Sequence, residues 1–152
     1  MNITEEDLVQ EYNVGQVMET DTATIKDSTS MDAILEFFSR SDHTYYPVVD
    51  KDNNLTGNIS ISGIKKLFEV RKAADWLLAC DVMEPVVDTA TRDEPLDKVM
   101  ENMKLYNLEN VCVLESGSNK LVGILNYRAL NLKLSTEVLR RKKAADDYLQ
   151  VV

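Results

Sequence analysis

The side chains best suited to hold a small molecule lie just before and within one β-rich run of the sequence. His43 precedes the aromatic pair Tyr45 and Tyr46, and Pro47 follows directly. Tyrosine faces stack on flat rings, and a histidine can hydrogen-bond such a ring or titrate near neutral pH. The structural alternatives are a surface histidine at a helix end and, because side chains alternate along a strand, one tyrosine in the core. Two hydroxyls, Thr24 and Ser60, could bind a polar ligand or cap strand ends and turns.

Catalytic and metal chemistry have no convincing constellation in this chain. His43 is the only histidine, and the two cysteines, Cys80 and Cys112, stand in unrelated contexts without a CxxC spacing. A zinc site needs about four suitably spaced ligands, and the sequence has no G-x-S-x-G, P-loop or G-x-G-x-x-G motif. We therefore expect no metal and no enzyme activity, unless a fused domain supplies the chemistry.

Charge and hydropathy exclude two further classes. The chain of 152 residues has a net charge of −9, whereas nucleic-acid binders need a basic surface to neutralise phosphates. The longest uncharged apolar stretch, 76–80, is far shorter than the roughly 18 residues of a membrane span. The acidic N-terminus shows no signal peptide. We expect no nucleic-acid partner, no direct membrane insertion, and a cytoplasmic protein or the cytoplasmic portion of a membrane protein.

The sequence repeats itself at an offset of 65 residues. Residues 17–19, Val-Met-Glu, recur at 82–84, and 46–50 match 111–115. A turn that is one residue longer then raises the offset to 66, and 55–60 match 121–126. Both copies also carry, in the same register, the apolar stripe of a helix that buries one face. Its members are Met31, Ile34, Leu35, Phe38 and Leu96, Val99, Met100, Met103.

Each copy reads as β-α-β-β-α. The first helix of copy one is predicted to begin at a capping box, Thr29-x-x-Asp32, and that of copy two at Pro95, a residue tolerated at the first helical position. Tight turns at 51–54 and 116–120 join the two later strands of each copy. The predicted fold class is α+β, sandwich-like, with the two repeats packed sheet to sheet about a pseudo-twofold axis.

The order, spacing and duplication of these motifs resemble a tandem pair of CBS (cystathionine-β-synthase) domains, or Bateman module. The residues that carry the resemblance are Asp81-Val82-Met83, Tyr46-Pro47-Val48-Val49-Asp50 and Gly57-x-Ile59-Ser60, and it covers about 14–131. It implies CBS domain 1 at 14–70 and CBS domain 2 at 79–131. An N-terminal extension, 1–13, and a helical C-terminal tail, 132–152, lie outside the repeat.

In that family the cleft between the copies often binds an adenosine nucleotide or S-adenosylmethionine, so the resemblance implies ATP, ADP or AMP as candidate ligands. By position it implies a site built from three segments per copy. Two departures weaken this expectation, because Gly63 and Ala129 stand where the family has a ribose-binding aspartate. The candidate ligand-binding residues are Thr24, His43, Tyr45, Tyr46, Pro47, Ser60, Thr89, Asn126 and Arg128, the last a candidate phosphate contact.

Two functions remain open at this point. The first is a regulatory module that binds an adenosine nucleotide or related metabolite between the copies and gates an attached or associated protein. The linker 64–76 and the tail 136–141 resemble the cytoplasmic region of CLC-type chloride channels and transporters, which implies a membrane ion channel or transporter as partner. The alternative is a ligand-independent structural dimerisation module with degenerate pockets. Both functions imply a homodimer.

Overall fold

The computed structural model describes residues 3–73 and 75–151. A 3-10 turn, Ile61–Gly63, follows the third strand. The helices and strands, in chain order, are α1 Glu5–Val9, α2 Val14–Val17, β1 Ile25–Lys26, α3 Met31–Arg40, β2 Tyr45–Val49, β3 Leu55–Ser60, α4 Ile64–Ala73, α5 Ala79–Val82, β4 Thr89–Thr91, α6 Leu96–Leu105, β5 Asn110–Leu114, β6 Leu121–Asn126 and α7 Tyr127–Val151.

The two copies form two three-stranded sheets of the same topology, which confirms the predicted α+β repeat. In each sheet the first strand pairs in parallel with the second, and the second pairs antiparallel with the third. A register shift falls at the equivalent place in both sheets, between Val48 and Val49 and between Val113 and Leu114. The sheets meet through buried side chains of β2, β5 and β6, including Val49, Cys112 and Leu121.

The first helix of each copy begins one residue later than predicted. Ser30, not Thr29, caps α3, since its hydroxyl accepts a hydrogen bond from the backbone N–H of Ala33 at 3.2 Å. The backbone of Thr29 is committed elsewhere, because its carbonyl accepts the N–H of Ala79 at 2.8 Å. Pro95 likewise stands at the N-cap of α6 and not at its first helical position.

The opening helix of each copy packs on the other copy. The N–H groups of Val14 and Gly15 in α2 donate to the carbonyls of Glu94 and Arg92, in the turn between β4 and α6. In the same way α5 contacts the turn between β1 and α3, where the N–H of Cys80 donates to the carbonyl of Asp27 at 2.9 Å. This reciprocal exchange ties the two repeats together.

The predicted helical tail continues the last helix of copy two, which runs without interruption to Val151. Leu130, Leu134 and Val138 form its buried stripe, and α1 packs against it through Leu8. Among the described helices, none combines the length and the apolar character that crossing a bilayer would require.

Candidate functional site

A cleft of about 520 Å³ lies between the two copies. One side is formed by β2, β3 and the 3-10 turn of copy one, and the other by the segments that lead into β4 and β5 of copy two. Its wall is mixed, with apolar side chains, neutral polar groups and carboxylates. The lining residues are Tyr45, Asn58, Ser60, Ser62, Glu84, Pro85, Val86, Val87, Asp88, Asn107, Leu108, Glu109 and Asn110.

The copy-one side is set by the pairing of β2 with β3. Tyr45 and Ser60 are directly opposite in this antiparallel pair, so an aromatic ring and a hydroxyl are held side by side at one sheet edge. The chain then turns sharply, and the hydroxyls of Ser60 and Ser62 lie 2.8 Å apart. Hydroxyls both donate and accept, so this pair can bind the diol of a sugar.

The segment that enters copy two is held across β3 as a short bridge. The N–H of Glu84 donates to the carbonyl of Asn58 at 2.9 Å, and the N–H of Asn58 donates to that of Glu84 at 3.0 Å. Gly57 permits this approach, since a Cβ there would lie 3.0 Å from the Glu84 carbonyl oxygen and 2.5 Å from Met83 Sδ. The bridge directs Pro85 and the following residues across the mouth of the cleft.

The third wall is a tight loop between α6 and β5. Asn107 has a φ of 53°, in the left-handed region that asparagine tolerates. The N–H of Leu108 donates to the Met103 carbonyl at 2.7 Å, and the Glu109 carbonyl accepts the N–H of Tyr127 at 2.8 Å. The loop is therefore fixed at both ends, and its polar side chains border the cleft.

The Tyr45 hydroxyl reaches across the contact between the sheets to the thiol of Cys112, at 3.3 Å. Burial raises the pKa of the Cys112 thiol to about 11, although the hydrogen bond with Tyr45 opposes this rise. Burial likewise raises the pKa of the Tyr45 hydroxyl well above its ordinary value. Both groups stay neutral at physiological pH, so the contact positions the Tyr45 ring and supplies no charge.

Four of the candidate residues lie at or beside this cleft. Tyr45 and Ser60 line it directly, and Thr89 follows the lining residue Asp88 at the start of β4. Asn126 is one hydrogen bond away, because its Nδ2 donates to Oδ1 of the lining residue Asn110 at 3.0 Å. The structure thus brings together candidates from both copies.

The other candidates lie elsewhere. Tyr46 and Pro47 are fully buried, and the Tyr46 hydroxyl donates to the backbone carbonyl of His43 at 2.9 Å. Of the two adjacent tyrosines, Tyr46 is therefore the core residue, packed edge-on against two phenylalanine rings of α3. The remaining three are not among the lining residues: His43 and Arg128 are exposed, and Thr24 is partly buried just before β1.

The missing aspartates have different surroundings in the two copies. Gly63 lines a separate cavity of about 190 Å³ that shares Ser60 and Asn58 with the cleft. In copy two, Oδ1 of Asn126 accepts the N–H of Ala129 at 2.9 Å and so caps the first turn of α7. Asn126 therefore has a structural task at the position where copy one carries the Ser60 hydroxyl.

Sequence reasoning did not select Asn58, Ser62 or the run 84–88 as site residues. One signal was available, because the repeated Val-Met-Glu motif ends at Glu84, the residue that bridges to Asn58. What the repeat does not reveal is that each motif bridges to the other copy, as the matching pair Glu19 and Ile124 also does. These bridges between the copies depend on tertiary packing, which leaves no pattern in the local sequence.

The family model of the CBS domain matches the chain twice, over residues 14–69 and 79–135. The chain therefore belongs to the CBS-domain family and carries a tandem pair of these domains.

Two curated proteins are similar to this chain, the homoserine O-acetyltransferases of Methanohalobium evestigatum, at 28% identity over 112 residues, and of Methanococcoides burtonii, at 25% over 120 residues. These matches cover 74% and 78% of this chain but 22% and 23% of the relatives. The chain thus spans less than a quarter of the length of the curated relatives it matches.

Several solved structures share the fold. CBSX2, a CBS-pair protein from Arabidopsis thaliana, in complex with AMP has a TM-score of 0.69 at 22% identity, covering 84% of this chain and 98% of that one. The CBS domain pair of the protein MJ0100, in complex with 5′-methylthioadenosine and S-adenosyl-L-methionine, has a TM-score of 0.66 at 23% identity, covering 82% of this chain and 97% of that one. The CBS domain of a bacterial CNNM/CorC family Mg²⁺ transporter has a TM-score of 0.69 at 11% identity, covering 83% of this chain and 76% of that one. At these identities the likeness shows the fold alone.

Proposed function

We propose that this chain is a regulatory module that binds an adenosine ligand in the cleft between its two CBS domains. The observation that carries the proposal is that both copies build the cleft, so that one occupant contacts Tyr45 and Ser60 on one side and Val87 and Asn110 on the other. CBS pairs of the same fold hold AMP, 5′-methylthioadenosine and S-adenosylmethionine. An apolar wall for the base is offered by Tyr45, Pro85, Val86 and Val87.

Binding regulates a partner only if the ligand prefers one arrangement of the two copies over another. A cleft shared by both copies meets this condition, because a change in their relative position alters both walls at once. The exposed side chain of Val87, at 78%, marks an apolar surface that an occupant would cover. A bound adenosine ligand would therefore favour the arrangement in which the two walls are close together.

The module acts on a partner and has no enzyme activity of its own. In this proposal it forms a homodimer and gates an attached or associated membrane ion channel or transporter, a chloride channel or transporter being the class suggested by the linker and tail sequences. The CBS domain of a CNNM/CorC family Mg²⁺ transporter, which has the same fold, supports a transporter partner in general. The module would work in the cytoplasm.

Calorimetry and thermal shift with ATP, ADP and AMP at millimolar concentration test the proposal, with Ser60→Ala as the site variant. We expect measurable binding and a loss of roughly fivefold in affinity on removing one hydroxyl that hydrogen-bonds the ligand. The matched control is Ser28→Ala, at an exposed turn away from the cleft, which should bind like the wild type. Equal losses in both variants would remove Ser60 from the site.

A second function, structural dimerisation with degenerate pockets, is favoured by one specific observation. Both family aspartate positions are occupied by Gly63 and Ala129, and Asn126 caps a helix. If adenosine and all its derivatives fail to bind while light scattering shows a ligand-independent dimer, this second function replaces the first.

A further inference from the structure

Acidic residues in the lining of the cleft influence which ligand charge the site can bind. Glu84 and Asp88 lie on the segment that enters copy two, and Glu109 lies on the loop before β5, so acidic residues line the cleft on two walls. None of the lining residues is a lysine, arginine or histidine. Among the side chains that the structure describes, no ion pair joins any of these carboxylates to a basic group. The lining therefore carries three carboxylates and no basic side chain.

No lysine or arginine in this lining could form an ion pair with a phosphate ester. Phosphate recognition uses lysine, arginine or clustered backbone N–H groups, and like charges brought together at a binding surface oppose association. Arg128, which the sequence offers as a phosphate contact, is exposed and is not among the lining residues. A chain of two or three phosphates would place still more negative charge against the same walls.

The neutral part of the lining fits the remainder of an adenosine ligand. Val86, Val87 and the Tyr45 ring offer apolar contact to a base, and Ser60 and Ser62 offer hydroxyls to a sugar. The carboxylates themselves are acceptors, so they can bind an exocyclic amine, a sugar hydroxyl or an ammonium group. These apolar, hydroxyl and carboxylate groups thus each have a possible partner on a nucleoside whose 5′ substituent is neutral or cationic.

We infer that the cleft selects an adenine nucleoside with a neutral or positively charged 5′ substituent, of the thioether or sulfonium class, over nucleotides that carry a 5′-phosphate. The inference rests on the proposed function, since it names the ligand class of the same site. The carboxylates of Glu84, Asp88 and Glu109 are the residues that determine this choice. Because all three are exposed, salt screens their effect, which supplies an independent readout.

Calorimetry on the full chain with five probes tests the inference: adenosine, 5′-methylthioadenosine, S-adenosylmethionine, AMP and ATP, each at low and at high salt. We expect S-adenosylmethionine to bind at least about tenfold more tightly than AMP at low salt, and salt to narrow the difference. The variant Glu84→Gln/Asp88→Asn/Glu109→Gln should shrink the difference to about threefold or less. The control Glu101→Gln, an exposed carboxylate of α6 outside the cleft, should leave the difference unchanged.

The outcomes distinguish a failure of the charge selection from a failure of the proposed function. Tighter binding of AMP or ATP than of adenosine overturns the charge selection while the site itself stands, and a loss of that binding in Arg128→Gln would assign the phosphate to Arg128. Failure of all five probes to bind overturns the proposed function together with the inference. Thermal unfolding of each variant checks that the fold is retained, and the single variant Glu109→Gln repeats the test if the triple variant unfolds.

Discussion

At the residue scale, the contact between Tyr45 and Cys112 shows how a single buried pair positions a wall of the cleft. The thiol and the hydroxyl lie 3.3 Å apart across the two sheets, and burial raises the pKa of both. The pair is therefore compatible with burial only while it is neutral. That condition makes the contact between the copies sensitive to alkaline pH.

The thiol of Cys112 gives a prediction for stability at high pH. Its pKa rises from about 9 to about 11 on folding, so the neutral thiol stabilises the fold fully below pH 9, and this contribution is lost as pH rises through 11. When the pH is raised from neutral to about 10.5, the free energy of unfolding should fall in both proteins. The fall should be smaller in Cys112→Ala than in the wild type, by on the order of 2 kcal/mol. Urea unfolding at both pH values measures this difference.

The control for that measurement is Cys80→Ala, since Cys80 is exposed. It should lose as much stability at alkaline pH as the wild type does. An unchanged pH dependence in Cys112→Ala would show that the thiol does not titrate in the folded state as its burial requires.

Gly57 supports a second prediction at this scale. A Cβ at this position would lie 3.0 Å from the carbonyl oxygen of Glu84, whereas a Cβ at Gly63 meets nothing within 4 Å. We expect Gly57→Ala to lower the free energy of unfolding by about 1–3 kcal/mol, the usual cost of overpacking, and to weaken ligand binding by displacing the segment that starts at Glu84. Gly63→Ala is the matched control and should change stability by less than about 0.5 kcal/mol. Similar stabilities for the two variants would contradict the close approach.

At the element scale, the sequence predicts helices and strands well where one face is buried, and less well where elements exchange between copies. The stripe from Met31 to Phe38 and the paired β-rich runs reveal α3, β2 and β3, because burial imposes a period on the sequence. The capping residue of α3 was misplaced by one position, since the backbone of Thr29 bonds to α5 of the other copy. Long-range contacts of this kind leave no local pattern.

The candidate site follows the same rule. Tyr45 and Ser60 could be chosen from the sequence because aromatic and hydroxyl side chains are recognisable there, and they face each other across one hairpin. The residues from Glu84 to Asp88 could not, because only the bridge to Asn58 brings them to the cleft. Tyr46 has the same side chain as Tyr45, but strand alternation places it in the core.

The docking of α1 on α7 yields a prediction at the same scale. Arg141 joins α7 to the turn that follows α1, with Nη1 3.1 Å from Glu11 and Nε 3.1 Å from Glu137. Hydrogen bonds from Arg140 and Arg141 lower the pKa of Glu137 to about 2, so this pairing is complete above about pH 4.5 and is lost as pH falls toward 2. Arg141→Gln should speed hydrogen exchange at the Leu8 amide by roughly two- to fivefold at neutral pH.

The matched control is Arg140→Gln. Arg140 is paired with Glu137 on its own helix, and none of its described contacts reaches α1. Its loss should leave exchange at Leu8 close to that of the wild type. Equal acceleration in both variants would mean that the pairing of Arg141 with Glu11 does not help to hold α1 on α7.

At the scale of the whole molecule, the two copies form one unit because each lends its opening helix and its bridging motif to the other. The bridges Glu19–Ile124 and Asn58–Glu84 are equivalent under the repeat. The surroundings of the bridges differ, however, since copy one presents the hydroxyls of Ser60 and Ser62 and copy two uses Asn126 as a helix cap. The two copies thus share one backbone arrangement but present different side chains at equivalent positions.

If both copies together hold one adenosine ligand, saturating adenosine should protect residues of both copies from hydrogen exchange at the same time. We expect slower exchange in three segments at once, 58–62, 84–88 and 107–110, which line the cleft from both copies. Protection confined to one copy, or protection at the groove formed by Tyr12, Leu130 and Glu137 without change at the cleft, would contradict the claim.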